Sequence, residues 1–297
     1  MTFSTDVVLS GPFRSPVQML QEQNIGGGKS VHDTDTADTL GLAGAPIEAP
    51  THFSQFDPLA FALWGPRWFE QGCISAHFRT MVVEGEQVQA TLTTTSPDSG
   101  TIEAHKADGT PVLTGTISVG PDHAPSALAE RLDGLGDPGE LRIIDQLVVG
   151  SRSERPDIVS ISRAERNGSG YPFSLAEKLA NITELSPWYT DDGAASSPWA
   201  RAVVPFEMVS VLAAKSRLPW PVRGPALGLF LDLEIRMVRG PVFVGQDYAI
   251  SRELVGLSQS RRTESYWTRS TITEDGSDDV VAEVLLHSGV FKDSFAG

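Results

Sequence analysis

The sequence predicts an α+β fold in which an antiparallel sheet wraps around a buried helix, and it predicts that unit twice. Within 45–81 the apolar period changes once. Phe53, Phe56, Ala60, Leu63 and Trp64 recur at the three-and-four spacing of one helix face, with Pro50-Thr51 suited to the first turn and Gly65-Pro66 as the stop. Ile74, Ala76, Phe78 and Thr80 then alternate with Ser75, His77 and Arg79, the period of a half-buried strand. The same succession recurs in 202–239. Pro205-Phe206-Glu207-Met208 aligns with Pro50-Thr51-His52-Phe53, and Phe243-Val244-Gly245-Gln246 with Val83-Glu84-Gly85-Glu86. The second copy holds about five extra residues, placed by their prolines in the connector 218–225. Asp108-Gly109 and Asp275-Gly276 each stand between alternating runs, a hairpin signal that closes both copies.

Length and composition bound the rest. A chain of 297 residues with 40% hydrophobic content fills one large or two medium domains, divided here as 1–120, a Pro/Gly-rich linker 121–140, and 141–297. A net charge of −15 argues against nucleic acid or an anionic membrane as partner, though it leaves room for an anionic ligand held by a local basic mouth. The single Cys73 excludes an internal disulfide and reads as a packed thiol; with no basic or apolar leader in 1–10, the expectation is a cytoplasmic protein. No apolar run reaches the roughly 18 residues a membrane helix needs.

Taken in order, 6–9 reads as a first strand broken by Gly11-Pro12, and 15–23 as a short helix with Pro16 in its first turn. Gly26-Gly27-Gly28-Lys29-Ser30 invites a phosphate-loop reading that fails: Gln23 stands where the motif's first glycine belongs, so a turn is expected. A short helix follows, capped by Asp33 or Thr34, with Asp35 and Asp38 near its positive end. His32 has a sharper reading, a proton donor or acceptor facing a cleft. A metal site there lacks a second nearby histidine. Residues 141–149 and 158–164 read as strands, 173–185 as a helix capped by Ser174, 188–193 as a polar aromatic loop, and 229–237 as an amphipathic strand. Arg261-Arg262 is expected in solvent, His77 on the polar face of its strand, and His105, His123 and His287 in no constellation.

With both copies placed, the chain resembles the double hot-dog proteins related to MaoC-type enoyl-CoA hydratases and dehydratases. The resemblance runs from about residue 30 onward, in SVHDTDTADTLGLAGAPIEAPTHF, FRTMVVEGEQVQATL, PFEMVSVL and VRGPVFVGQDYAISREL. It implies two antiparallel sheets, each around a central helix, fused as a pseudo-dimer. His32 falls on the family's histidine, Ala37 and Gly41 on its alanine and glycine, and Pro46-Ile47 on the helix entry. Gly27 stands at the aspartate position and Ala49-Pro50 replaces His-Gly, so the hydratase's proton-transfer pair is incomplete. His52 and Glu207, at matching positions of the two helix starts, are the substitutes. Helix N-termini also offer free N–H groups to a thioester or enolate oxygen.

The first expectation is therefore a hydro-lyase performing hydration, dehydration or a related proton transfer on an acyl thioester or small carbonyl compound. His32 and His52 would move protons, Asp33 orient and Glu207 assist, with no metal or redox cofactor implied. A thioesterase and a non-catalytic acyl or small-ligand binding module remain the alternatives. The partner is a small molecule, an acyl-CoA among the options, and the fold leaves room for a homodimer.

Overall fold

The computed structural model describes residues 6–25, 28–216 and 220–295. The first half contains β1 (Val8–Ser10), the small hairpin β2 (Asn24–Ile25) and β3 (Gly28–Lys29), α1 (Thr34–Thr39), a 3₁₀ helix (Ala49–Gln55), α2 (Asp57–Trp64) and α3 (Arg67–Gln71). Its long strands are β4 (Gly72–Phe78), β5 (Val88–Ser96), β6 (Ser99–Lys106) and β7 (Pro111–Val119). Then come α4 (Ala127–Asp133), β8 (Asp157–Val159), α5 (Leu175–Asn181), the single turn α6 (Asp191–Ala194) and α7 (Phe206–Ala214). The second set of long strands is β9 (Gly228–Met237), β10 (Tyr248–Gln259), β11 (Thr263–Glu274) and β12 (Val280–Phe291).

Ten of these strands form one sheet in the order β1-β5-β6-β7-β4-β9-β12-β11-β10-β8. The order mirrors itself about the antiparallel pairing of β4 with β9, which sets Cys73 against Arg236 and His77 against Asp232. The sheets of the two copies thus join edge to edge, which satisfies the hydrogen-bonding rims that each alone leaves open. One continuous core lies between the sheet and the central helices, with Phe53, Phe56, Phe206 and Val209 packed together with Ile74, Ala76, Leu233 and Ile235.

Matching backbone contacts show that the repeat is structural. Ile47 N–H donates to the Val82 carbonyl and Val204 N–H to that of Val242, both at 2.8 Å. The turns beyond carry Gly85 at φ 92° and Gly245 at φ 75°, a region that favours glycine. Both Asp-Gly hairpins form, between β6 and β7 and between β11 and β12.

Several local expectations give way to tertiary contacts. The first central helix is split at Phe56 into a 3₁₀ segment and α2, where Pro58 lacks the N–H to continue the ladder. Residues 15–23 are not helical: Arg14 N–H pairs with Val88, and the Gln18 side chain accepts from Leu20 N–H and donates to the Pro46 carbonyl. Residues 141–149 form no strand, because the buried Glu264 carboxylate accepts the N–H groups of Arg142, Ile143 and Ile144. Of the strand expected over 158–164, only Ile158 and Val159 are in a strand, as part of β8. Within 121–140, α4 buries Leu128 against the outer face of the sheet. Cys73 is a buried free thiol. No helix among the described residues is long and apolar enough to cross a membrane.

Candidate functional site

Two places, one in the first half and one at the pseudo-twofold axis, collect the chemistry-bearing residues. The first is a cleft of about 300 Å³ lined by Gln18, Gln21, His32, Thr34, Gly44, Ala45, Val83 and Glu84. Its walls are the N-terminal arm, the start of α1, the strand-like entry to the 3₁₀ helix, and the turn after β4. His32 Nδ1 lies 2.6 Å from the Pro46 carbonyl, which also accepts from Gln18. A carbonyl only accepts, so Nδ1 carries the proton and Nε2 of the neutral ring keeps its lone pair. Burial pushes the His32 pKa down against the pull of the Pro46 carbonyl and of Glu48. The ring is a neutral base with a fixed tautomer.

The bridge between Pro46 and Val83 corresponds to that between Val203 and Phe243. There Arg201 stacks over the Phe243 ring at 3.9 Å. The first copy has Gly44 on the cleft wall in the matching place, where an added Cβ would meet Val83 Cγ1 at 3.2 Å.

The second place lies between the N-termini of the two central helices. Lys178, on α5, is buried, with Nζ 3.3 Å from Glu48 Oε2, 3.4 Å from Glu207 Oε1 and 2.9 Å from Thr51 Oγ1. Burial alone would lower the Lys178 pKa, but Glu207 and Glu48 outweigh it and raise it. Glu207 is pushed up to about 8, first by burial and then by Glu48 and Asp57, with Lys178 opposing. Glu207 therefore holds its proton at neutral pH. His52 is driven down to about 4 by burial and then by Lys178 and Lys106, and its Nδ1 faces the Gln55 amide at 3.4 Å. Next along, Asp57 accepts from Trp68 Nε1 at 2.9 Å and from the Tyr189 hydroxyl at 2.8 Å, and burial raises it to about 7. Oxygens of Glu48, Gln55 and Glu207 remain without hydrogen-bond partners in this network.

The four residues singled out in the sequence divide accordingly. His32 lines the cleft. Asp33 is the N-cap of α1, its Oδ1 accepting from Thr36 N–H at 3.0 Å, while the His32 ring is held by backbone at Pro46. His52 and Glu207 are both buried on the Lys178 side and not on the cleft wall, His52 in the last turn of the 3₁₀ segment and Glu207 in the first turn of α7. Gly27, at the family's aspartate position, lies outside the described residues. Sequence reasoning missed Lys178, Glu48, Asp57 and Tyr189. The Ser174/Glu177 capping box announces α5, yet nothing local marks Lys178 as its inward residue. It also missed the environment of His77 and His287, which both pair with the buried Asp232 on the opposite face of the sheet. Among the described residues, no group of three or more His, Cys, Asp or Glu is arranged to hold a metal ion.

No family model matches the sequence, and no curated protein matches it. Solved structures do. A conserved hypothetical protein of Mycobacterium tuberculosis with a double hot-dog fold is 12% identical, superposes with a TM-score of 0.57, and matches over 97% of each chain. A MaoC-like dehydratase is 13% identical over 97% of this chain and 98% of its own, with a TM-score of 0.53. A MaoC domain protein of Chloroflexus aurantiacus is 14% identical over 98% of this chain and 95% of its own, with a TM-score of 0.54. With nearly complete coverage at low identity, the likeness is one of architecture, and it agrees with the mirrored strand order and paired central helices: the chain has the double hot-dog fold.

Proposed function

We propose that the chain is a MaoC-like hydro-lyase that acts in the His32 cleft on the acyl end of a thioester or on a small carbonyl compound. The observation that carries this reading is the His32 imidazole, neutral and fixed through Nδ1 on Pro46, lining a cleft of about 300 Å³. In the dehydration direction, Nε2 takes the α-proton of a 3-hydroxyacyl substrate, and the imidazolium so formed passes that proton to the departing hydroxyl on the same side. The products are the enoyl compound and water; hydration is the reverse. No Lys or Arg is among the lining residues, so the part of the substrate that enters is uncharged. His52 and Glu207 act at one remove in this reading. Their network around Lys178 holds Glu48, whose charge acts on His32.

One specific observation favours the binding-module alternative: the space between the helix N-termini is filled by Lys178 and its carboxylates. Turnover separates the readings. The purified chain is incubated with enoyl, 3-hydroxyacyl and saturated acyl thioesters and followed by mass spectrometry. The lyase changes the substrate mass by one water with the thioester intact, and His32→Ala lowers the rate by about 10²–10⁴-fold, the ordinary worth of a general base. Release of free thiol makes the protein a thioesterase instead. Ligand retention without turnover makes it a binding module.

A further inference from the structure

The outer face of the sheet, turned away from the central helices, carries a second polar constellation. Asp232 on β9 is fully buried and sits between His77 on β4 and His287 on β12 in adjacent strands. Its Oδ1 is 2.5 Å from His77 Nδ1 and 3.2 Å from an Arg131 nitrogen, and its Oδ2 is bonded to His287 Nδ1. The hydrogen bonds from His287 and His77 outweigh burial and hold Asp232 at about 2. An ionised carboxylate only accepts, so each histidine carries its proton on Nδ1 and, when neutral, a lone pair on Nε2.

His287 Nε2 faces the Ser258 hydroxyl on β10 at 3.5 Å. Trp267 Nε1–H donates to the same oxygen at 3.3 Å. With that lone pair engaged, the hydroxyl's own hydrogen is left for Nε2. Every donor and acceptor in the series Trp267, Ser258, His287, Asp232 therefore has one assigned direction. The Trp267 ring stacks on the His287 ring at 4.0 Å and 8°, which fixes the imidazole plane. β10 and β12 are not neighbours; β11 lies between them. Register shifts at Leu254/Gly256 and at His287/Ser288 occur in the strands that carry the serine and the histidine, and such bulges re-aim side chains. Ser258 is half-exposed, whereas His287 and Asp232 are buried.

We propose that Ser258, His287 and Asp232 form a serine-based catalytic site on the outer face of the sheet, which accepts the acyl group of a small carboxylic ester or thioester. Ser258 Oγ forms a bond to the carbonyl carbon and its proton passes to His287 Nε2. That proton then leaves with the alcohol or thiol as the carbon–leaving-group bond breaks. Water, deprotonated by His287, releases the acid and restores the serine. Asp232 keeps the imidazole in the tautomer that accepts at Nε2. The Ser258–His287 separation is at the long end, as catalytic hydrogen bonds in unliganded enzymes commonly are.

The test is covalent labelling of the full chain with a fluorophosphonate ester, the adduct being located by peptide mass spectrometry, beside hydrolysis of p-nitrophenyl acetate. The expected result is one adduct, on Ser258, absent in Ser258→Ala and formed at least about 100-fold more slowly in His287→Gln. Ser258→Ala alters a half-exposed hydroxyl, and an unchanged thermal midpoint establishes that it folds. Absence of an adduct on Ser258 in the wild-type chain overturns the proposal, as does undiminished labelling in a folded His287→Gln. Labelling of Ser258 does not involve the His32 cleft, and the thioester screen is repeated in Ser258→Ala, so that thiol released at the serine site is told apart from chemistry in the cleft.

Discussion

Lys178 Nζ lies 3.4 Å from Glu207 Oε1, tying a helix that belongs to neither copy of the repeat to the start of the second central helix. Through Glu48 and Thr51 the same ammonium reaches the start of the first. Three chain segments thus meet on one buried charge. Lys178→Met removes the cation and leaves Glu48 buried without it, at a cost of about 3–5 kcal/mol in urea unfolding. Adding Glu48→Gln to that variant recovers part of the loss, since the orphaned acid is then neutral.

Glu207 also sets a pH dependence. In the folded chain it keeps its proton up to about 8, whereas an unfolded glutamate loses it near about 4.3. Between those values the folded state binds more protons, so the contribution of Glu207 is present below the lower value and is lost as pH rises through the upper one. Asp57, at about 7, acts in the same direction. His52, depressed to about 4, works on the acid side: its contribution is present above the usual histidine value of about 6.5 and is lost as pH falls toward 4. Glu207→Gln gives a flatter decline in thermal midpoint between pH 5 and pH 9, with its gain over wild type largest at pH 9. A decline equal to wild type would show that Glu207 ionises normally.

Tyr189→Phe removes one of the donors on Asp57 without changing the ring that packs against Phe69. The buried oxygen left behind costs about 1–3 kcal/mol. Equilibrium unfolding measures that loss.

Gly115 on β7 has no room for a side chain: an added Cβ would fall 1.9 Å from the Ser75 carbonyl on β4. Gly115→Ala forces β7 and β4 apart next to the seam between the two halves and is expected to cost about 3 kcal/mol. Soluble yield and denaturation midpoint test it. A neutral result would mean that the strands separate without cost.

Much of the scaffold was legible in advance, for local reasons. The alternation in 74–80 and 229–237, the Asp-Gly turns and the Ser174 cap are short-range signals, and β4, β9, both hairpins and a shorter α5 are there. The helix expected over 15–23 is absent because the Gln18 amide bonds the Pro46 carbonyl, 28 residues away, and no pattern within the segment reports that bond. The strand expected over 141–149 gives way to the Glu264 carboxylate, 122 residues from Arg142, for the same reason.

By itself, the sequence determined that two sheet-and-helix units occur and that each carries a central helical segment ahead of its first long strand. Those follow from periodicity and internal alignment, which are properties of neighbouring residues. Only the tertiary structure decided what those residues do. It placed His32 on a cleft, and it buried His52 and Glu207 near Lys178. It also put the Ser258 hydroxyl beside a His287–Asp232 pair whose members are 55 residues apart in sequence. Cross-strand register and helix docking are set by burying the core as a whole, so the proton state and the partners of a buried side chain come from the assembled fold.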